Sequence, residues 1–174
     1  MKVLITSFKP FNNMINNYST EVLNYINNQY KIVLDVVYDE CYIKLKEQFN
    51  LDEFDLIIAL GEARSRNVLT LETNAKNISS CSLKDNSDVL KQNELIIKNG
   101  KDILETKVDL NLISNIIQLS NDAGKFVCNN LYYHLLNNYP SKSLFIHIPE
   151  CDNDINKYQE YAKVIEKIIL TLTK

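Results

Sequence analysis

The 174-residue chain has little of several features that mark specialised protein classes. It contains three glycines, three prolines and no tryptophan, and its 19 lysines and arginines stand against 22 aspartates and glutamates. A nucleic-acid-binding protein normally shows a clustered basic excess, so this charge balance argues against a nucleic-acid partner. No apolar run approaches the roughly 18 residues that would cross a bilayer, so we expect no membrane partner.

Metal and disulfide patterns are missing as well. The four cysteines, at positions 41, 81, 128 and 151, show no C-x-x-C spacing, and in a reducing compartment their thiols would stay free. We therefore expect neither a structural metal nor a cofactor. Residues 1–6 have the apolar, β-branched pattern of a strand and lack the order of a signal peptide, so we expect a cytoplasmic protein.

The residues that are present are those of an ordinary globular protein. Apolar residues make up 45% and charged residues 24%, and the length suits a single domain over residues 1–174. Because glycine is so scarce, each glycine is expected where a side chain would clash or where φ is positive.

Apolar segments alternate between the periods of strands and helices along the chain. Strands are predicted at residues 2–7, 30–38, 54–60 and 143–148, with short edge strands at 68–71 and near 78. Helices are predicted after the capping Ser19 and at residues 39–50, 125–138 and 152–173, and residues 109–119 are predicted to pass from helix to strand. Residues 81–107 lack a pattern, which indicates a long loop or flap. The order predicts an α/β fold, a three-layer α/β/α sandwich on a mainly parallel, mixed sheet.

Three predicted strand ends carry reactive side chains, namely Glu72, Cys128 and His147. In an open α/β sheet, sites gather at the carboxyl ends of the strands, and a thiol, an imidazole and a carboxylate together suit nucleophilic acyl transfer. Cys128 falls in the first turn of a predicted helix, where the helix dipole favours a thiolate. Backbone N–H groups near Gly124 are candidates for binding the oxyanion.

Residue types and spacing alone leave a structural role open for each of these side chains. A buried cysteine is more often a small core residue, and a histidine in an apolar strand is usually a satisfied core residue. A single glutamate such as Glu72 is most often a surface charge.

The amino-acid sequences of four stretches favour the catalytic interpretation. They are KVLITSFKPF at 2–11, GEA at 61–63 with LTLE at 69–72 and AKN at 75–77, SNDAGKFVCN at 120–129, and FIHIP at 145–149. In this order they resemble the motifs of the pyroglutamyl peptidase I (pyrrolidone-carboxylate peptidase) family. The resemblance covers most of the chain, the motif around Cys128 being the most specific, although the chain is shorter than typical members.

The resemblance implies a phosphorylase/hydrolase-like fold and a thiol peptidase that removes an N-terminal pyroglutamyl (5-oxoprolyl) group from peptides without a cofactor. It implies Cys128 as nucleophile, His147 as general base and Glu72 as the orienting acid. The residues implied to bind the substrate are Phe8, Phe11, Asn17, Glu62, Phe126 and Val127, the first two by sandwiching the flat lactam ring. It also implies a homo-oligomer, a dimer or a tetramer, with a blocked peptide as substrate.

Three departures from the family pattern lie close to these residues. Asn12 and Asn13 replace paired glycines, and Glu62 replaces a glutamine. Ser82 stands where the family has an arginine, so it cannot supply a cation for a thiolate or an oxyanion. These departures keep a second hypothesis open, that of a catalytically weak or inactive relative that acts as a binding or structural protein.

Overall fold

The computed structural model of this chain describes residues 1–173. Its helices and strands are, in chain order, β1 (Val3–Phe8), α1 (Tyr18–Tyr25), β2 (Tyr30–Leu34), α2 (Glu40–Gln48), β3 (Leu56–Glu62), β4 (Thr70–Glu72), β5 (Asn74–Lys76), β6 (Ile103–Glu105), β7 (Gln118–Ser120), α3 (Val127–Asn138), β8 (Ser143–Ile148) and α4 (Ile155–Leu172). Among these residues, no helix is both long enough and apolar enough to cross a membrane.

The main sheet has the strand order β2-β1-β3-β8-β4-β7. Its first four strands are parallel, β4 runs antiparallel to β8, and β7 runs parallel to β4. Strands β5 and β6 form a separate antiparallel pair. The prediction of a mainly parallel, mixed sheet is therefore confirmed.

Helices cover both faces of this sheet, which explains why β1 and β8 are buried along their whole length. Side chains alternate between the two faces along each strand. Ile5, Ile58 and Ile146 pack towards α1 and α4, whereas Ile57 and Phe145 pack towards α2 and α3. The α/β/α layering thus follows directly from the strand and helix patterns of the sequence.

Several predicted boundaries are wrong. Strand β2 ends at Leu34 because its neighbour β1 is followed by Lys9 and then Pro10, which has no N–H to continue the ladder. Strand β3 continues through Gly61 to Glu62 instead of ending at the glycine. The predicted edge strand near residue 70 lies inside the sheet, between β8 and β7.

Residues 109–119 form turns and β7 rather than a regular helix. Leu110–Leu112 is a single 3-10 turn, and Ile117 donates its N–H to the Ile113 carbonyl at 3.3 Å. Both isoleucines are buried against the α1 and α4 side of the sheet. Consecutive turns therefore replace the helix predicted for the first part of this segment.

Asparagine takes the place of glycine at the turn after β1. Asn12 and Asn13 adopt φ values of 51° and 59°. Asparagine accepts this left-handed region better than most residues do. The turn beside Phe8 and Phe11 therefore keeps a glycine-like backbone with two side chains added.

Candidate active site

Glu72 and His147 meet across the antiparallel pair of β4 and β8. In the register of these strands Glu72 lies opposite Phe145 and Thr70 lies opposite His147, so Glu72 and His147 are diagonal neighbours on one face. The His147 Nδ1 atom is 2.7 Å from Glu72 Oε1. Both side chains are buried. The predicted pairing of a carboxylate with the histidine ring is therefore present in the structure.

The elements that carry the three side chains differ from the prediction, which placed all three at strand ends. His147 is indeed the penultimate residue of the parallel strand β8. Glu72 comes from a strand of opposite direction and reaches the ring across the sheet face. Cys128 is the second residue of α3, after a turn, and follows no strand directly.

Gly61 lies beside both the Cys128 sulfur and the strand that carries His147. It lies opposite His147 in the parallel register of β3 and β8. A Cβ atom placed on Gly61 would lie 2.8 Å from Cys128 Sγ, so the sulfur rests against the bare glycine Cα. Within residues 1–173 no hydrogen bond joins Cys128 to His147, but both side chains line one cavity. The thiol and the imidazole thus line one cavity, and Glu72 is hydrogen-bonded to the imidazole.

Gly61→Ala should damage the site more than the fold. The added methyl group would lie 2.7 Å from the buried Phe145 Cζ atom as well as against Cys128 Sγ, so the sulfur or the ring must move. We expect a loss of about 1–3 kcal/mol in unfolding free energy and a fall of about 100-fold in kcat/KM. Urea unfolding and hydrolysis of a pyroglutamyl amide would measure the two effects. Full activity in Gly61→Ala would contradict this account of the thiol's place.

A cavity of about 340 Å³ opens in front of the thiol. Besides Cys128 and His147, its lining contains every residue predicted to bind the substrate, namely Phe8, Phe11, Asn17, Glu62, Phe126 and Val127. The Phe11 and Phe126 ring centroids lie 5.7 Å apart. The volume is that of a small-molecule site, and the aromatic walls offer apolar faces to a flat ring.

The two polar residues predicted to bind the substrate already have protein partners. Asn17 caps α1, since its Oδ1 accepts a hydrogen bond from the backbone N–H of Ser19. The prediction that Ser19 itself is the cap is therefore wrong. The Asn17 Nδ2 donates to the Lys9 carbonyl. Glu62 accepts the backbone N–H of Tyr18 at 2.7 Å and pairs with Arg64 Nε at 2.7 Å. These contacts fix both side chains at the cavity wall.

Burial leaves the thiol and the imidazole uncharged. Burial, together with the negative charges of Glu62 and Glu72, raises the pKa of the Cys128 thiol to about 12. Burial also lowers the pKa of His147, against the opposing effect of the hydrogen bond that its ring donates to Glu72. This direction is opposite to the thiolate expected from the helix position of Cys128. A thiol that acts as a nucleophile here would have to lose its proton as it attacks.

Helix α3 offers the better donors for an oxyanion. The Gly124 N–H, the candidate from the sequence, donates to Asp122 Oδ1 at 3.3 Å. Phe126 precedes the helix and provides no side-chain cap for the first-turn N–H groups, and Val127 and Cys128 of this turn line the cavity. An oxyanion beside the sulfur would meet these N–H groups and the positive end of the helix.

Among the cavity residues that the sequence did not predict, Arg66 is the cation. Its Nη1 is 2.6 Å from Glu72 Oε1, so the site holds a cation although Ser82 provides none. Ser82 is exposed and lines a neighbouring cavity. The available signal was the position of Arg66 six residues before Glu72 within one motif. His134, the other histidine, lies outside the cavity and bonds Asp39.

Comparisons with known proteins agree with the motifs. A family model described as pyroglutamyl peptidase matches residues 1–173. The pyrrolidone-carboxylate peptidase of Brachyspira hyodysenteriae is 35% identical over 167 residues, which span 86% of this chain and 83% of that protein. The pyrrolidone-carboxylate peptidase of Finegoldia magna is 30% identical over an alignment of 193 positions, covering 100% of this chain and 91% of the relative.

Solved structures share the fold. The pyrrolidone carboxyl peptidase of Fervidobacterium islandicum superposes with a TM-score of 0.86 at 24% identity, covering 99% of this chain and 98% of that one. The pyroglutamyl peptidase I of Bacillus amyloliquefaciens gives a TM-score of 0.83 at 24% identity, with 94% and 91% of the two chains covered. At this level of identity the likeness bears on the architecture alone.

Proposed function

Because this chain belongs to the pyroglutamyl peptidase family, we propose that it is a cysteine peptidase that removes the N-terminal pyroglutamyl group from peptides. Cys128 is the nucleophile, His147 the general base and Glu72 the residue that orients the base. One observation carries the proposal: His147, which is hydrogen-bonded to Glu72 at 2.7 Å, lines the same cavity as the Cys128 thiol.

The cavity suits a neutral ring with one amide edge. Its apolar walls come from Phe8, Phe11 and Phe126, which can cover both faces of a five-membered lactam. Glu62 and Glu72 are paired with arginines, so neither is left to attract a charged N-terminus. Asp122, which also lines the cavity, is paired with Lys76. A free ammonium group would therefore lose its hydration in this cavity without gaining a counter-ion.

The proposed reaction begins with a neutral Cys128 thiol and a neutral His147 imidazole. Cys128 Sγ attacks the carbonyl carbon of the pyroglutamyl residue while its proton passes to His147 Nε2, and Glu72 stabilises the resulting imidazolium through Nδ1. The C–N bond then breaks, and the leaving amine takes the proton from His147. Water, deprotonated by His147, hydrolyses the thioester, which releases pyroglutamate and restores the thiol. We place this chemistry in the cytoplasm, where reducing conditions preserve a thiol nucleophile.

A panel of fluorogenic amides tests the proposal. The wild-type protein should release aminomethylcoumarin from the pyroglutamyl amide at least about 100-fold faster than from the prolyl, alanyl or glutamyl amides. A preference for the prolyl amide would mean that the family's specificity has shifted. Release from none of the four would favour the second hypothesis, a relative that binds without catalysis.

A further inference from the structure

Arg66 makes contacts on both sides of the proposed site. It lies in the connection between β3 and β4, and its Nη1 contacts both Glu72 Oε1, at 2.6 Å, and the Thr70 hydroxyl. Its Nη2 donates to the Asp122 carbonyl at 2.6 Å. The side chain is four-fifths buried and lines the cavity of Cys128 and His147.

The first contact helps to keep Glu72 ionised. This carboxylate is completely buried, and burial by itself would raise its pKa. The hydrogen bond and the charge of His147, a hydrogen bond from Ser120 and the charge of Arg66, in decreasing order, outweigh burial, so that the pKa of Glu72 is lowered. A neutral Glu72 would lose the negative charge that stabilises a protonated His147. Arg66 therefore helps to keep the orienting residue in its working form.

The second contact, with the Asp122 carbonyl, involves the segment that precedes the proposed nucleophile. Asp122 opens the turn that leads through Gly124 into α3, on which Cys128 lies. One planar guanidinium group thus bonds the carboxylate behind the base and the turn in front of the thiol. Only a forked donor can span both acceptors, since a lysine ammonium is a compact point charge.

We propose that Arg66 is a positioning residue that couples the Glu72–His147 pair to the turn preceding Cys128. This rests on the proposed function for the roles of those three residues. Arg66 also supplies a positive charge in the lining of the cavity, where Ser82 supplies none. It touches no reacting atom and acts through Glu72 and Asp122.

The charges around His147 predict how removal of Arg66 would change the pKa of His147. Burial lowers the pKa of His147, and the facing charges are Glu72 from β4 and Asp122 from the turn before α3, which raise it, and Arg66, which lowers it. The Cys128 thiol, from α3, is uncharged at neutral pH. Loss of the Arg66 charge should therefore move the titration of His147 to higher pH.

Histidine NMR measures this directly, because the chain has two histidines. In the ¹⁵N-histidine-labelled protein, His134→Ala assigns the remaining imidazole to His147. We expect Arg66→Gln to raise the His147 midpoint and to lower kcat/KM for the pyroglutamyl amide by about 10- to 100-fold. Arg64→Gln is the matched control, because it removes the same charge from the same connection but from a residue that pairs with Glu62. Its His147 midpoint should stay at the wild-type value.

Arg66→Lys separates charge from geometry. It keeps the cation, so the His147 midpoint should stay near the wild-type value, yet kcat/KM should fall about 10-fold because the Asp122 contact is lost. Wild-type kcat/KM in Arg66→Lys, or an unchanged midpoint in folded Arg66→Gln, would overturn the proposal. Should Arg66→Gln fail to fold by circular dichroism, the rate of Arg66→Lys decides alone. Should the wild type cleave no amide, the peptidase proposal fails, and the NMR midpoint still tests the coupling of Arg66 to His147.

Discussion

Cys128→Ala should lower kcat/KM for a pyroglutamyl amide by at least about 10⁴-fold, because loss of a nucleophile removes the covalent route entirely. Cys128 provides the one thiol in the lining of the cavity within residues 1–173. The change removes a single sulfur atom that makes no hydrogen bond to His147, so the fold should persist. Initial rates of coumarin release measure the activity, and thermal unfolding monitored by circular dichroism measures the fold.

Cys81→Ala is the matched control for this experiment. Cys81 is a free, half-buried thiol outside the cavity, and its Sγ only accepts the Leu83 N–H at 3.4 Å. This variant should keep the wild-type rate. Cys128→Ala that retains activity would rule out Cys128 as nucleophile, and equal inactivity of wild type and variant towards all N-terminal amides would leave a binding or structural role.

Local patterns of the sequence were sufficient for the framework. The apolar run at residues 143–148 predicted β8 residue by residue, because a strand buried on both faces shows a continuous apolar run. The motif around Cys128 likewise predicted a turn followed by α3. In both cases the signal and the structure lie within the same ten residues.

The arrangement of the site depends on contacts between distant residues, and there the sequence was less informative. The direction of β4 follows from its pairing with β8, some 75 positions further on, which no local pattern encodes. The resting charge of Cys128 was predicted from the helix dipole, which a local pattern reveals. Burial and the charges of Glu62 and Glu72 reverse that effect, and they arise only in the folded chain.

Arg66 illustrates the same limit. A single arginine in a loop is usually a solvated surface charge. Its value at this position comes from Glu72 Oε1 and the Asp122 carbonyl, which reach it from two other parts of the chain. The motif comparison drew attention to Ser82, where a cation is missing, whereas the structure supplies the cation from another loop.

Glu72→Gln should lower kcat/KM by about 10³- to 10⁴-fold, as expected when a base is held in the wrong tautomer. The Glu72 carboxylate accepts a hydrogen bond from His147 Nδ1–H and so leaves Nε2 free to accept the thiol proton. A glutamine amide at the same place can donate to Nδ1 and hold the proton on Nε2. Steady-state kinetics give the loss, and the ¹⁵N-histidine spectrum reports the tautomer of His147.

The same substitution should change stability in a pH-dependent way. The folded pKa of Glu72 is lowered, so its ionised form stabilises the fold above the ordinary pKa of a glutamate, and this contribution is lost as pH falls through the folded value. At pH 7 Glu72→Gln should be less stable than wild type by about 3 kcal/mol, since it breaks a buried ion pair with Arg66. The difference should shrink as the pH falls below about 4.

Glu105→Gln is the control for both effects, because it removes an exposed carboxylate from β6, outside the site. Its rate and its urea midpoint should match wild type at each pH. A Glu72→Gln variant with the stability and the rate of this control would mean that Glu72 neither holds the His147 tautomer nor balances Arg66. The proposed triad would then reduce to a thiol and an imidazole without an orienting acid, and the coupling assigned to Arg66 would have no carboxylate through which to act.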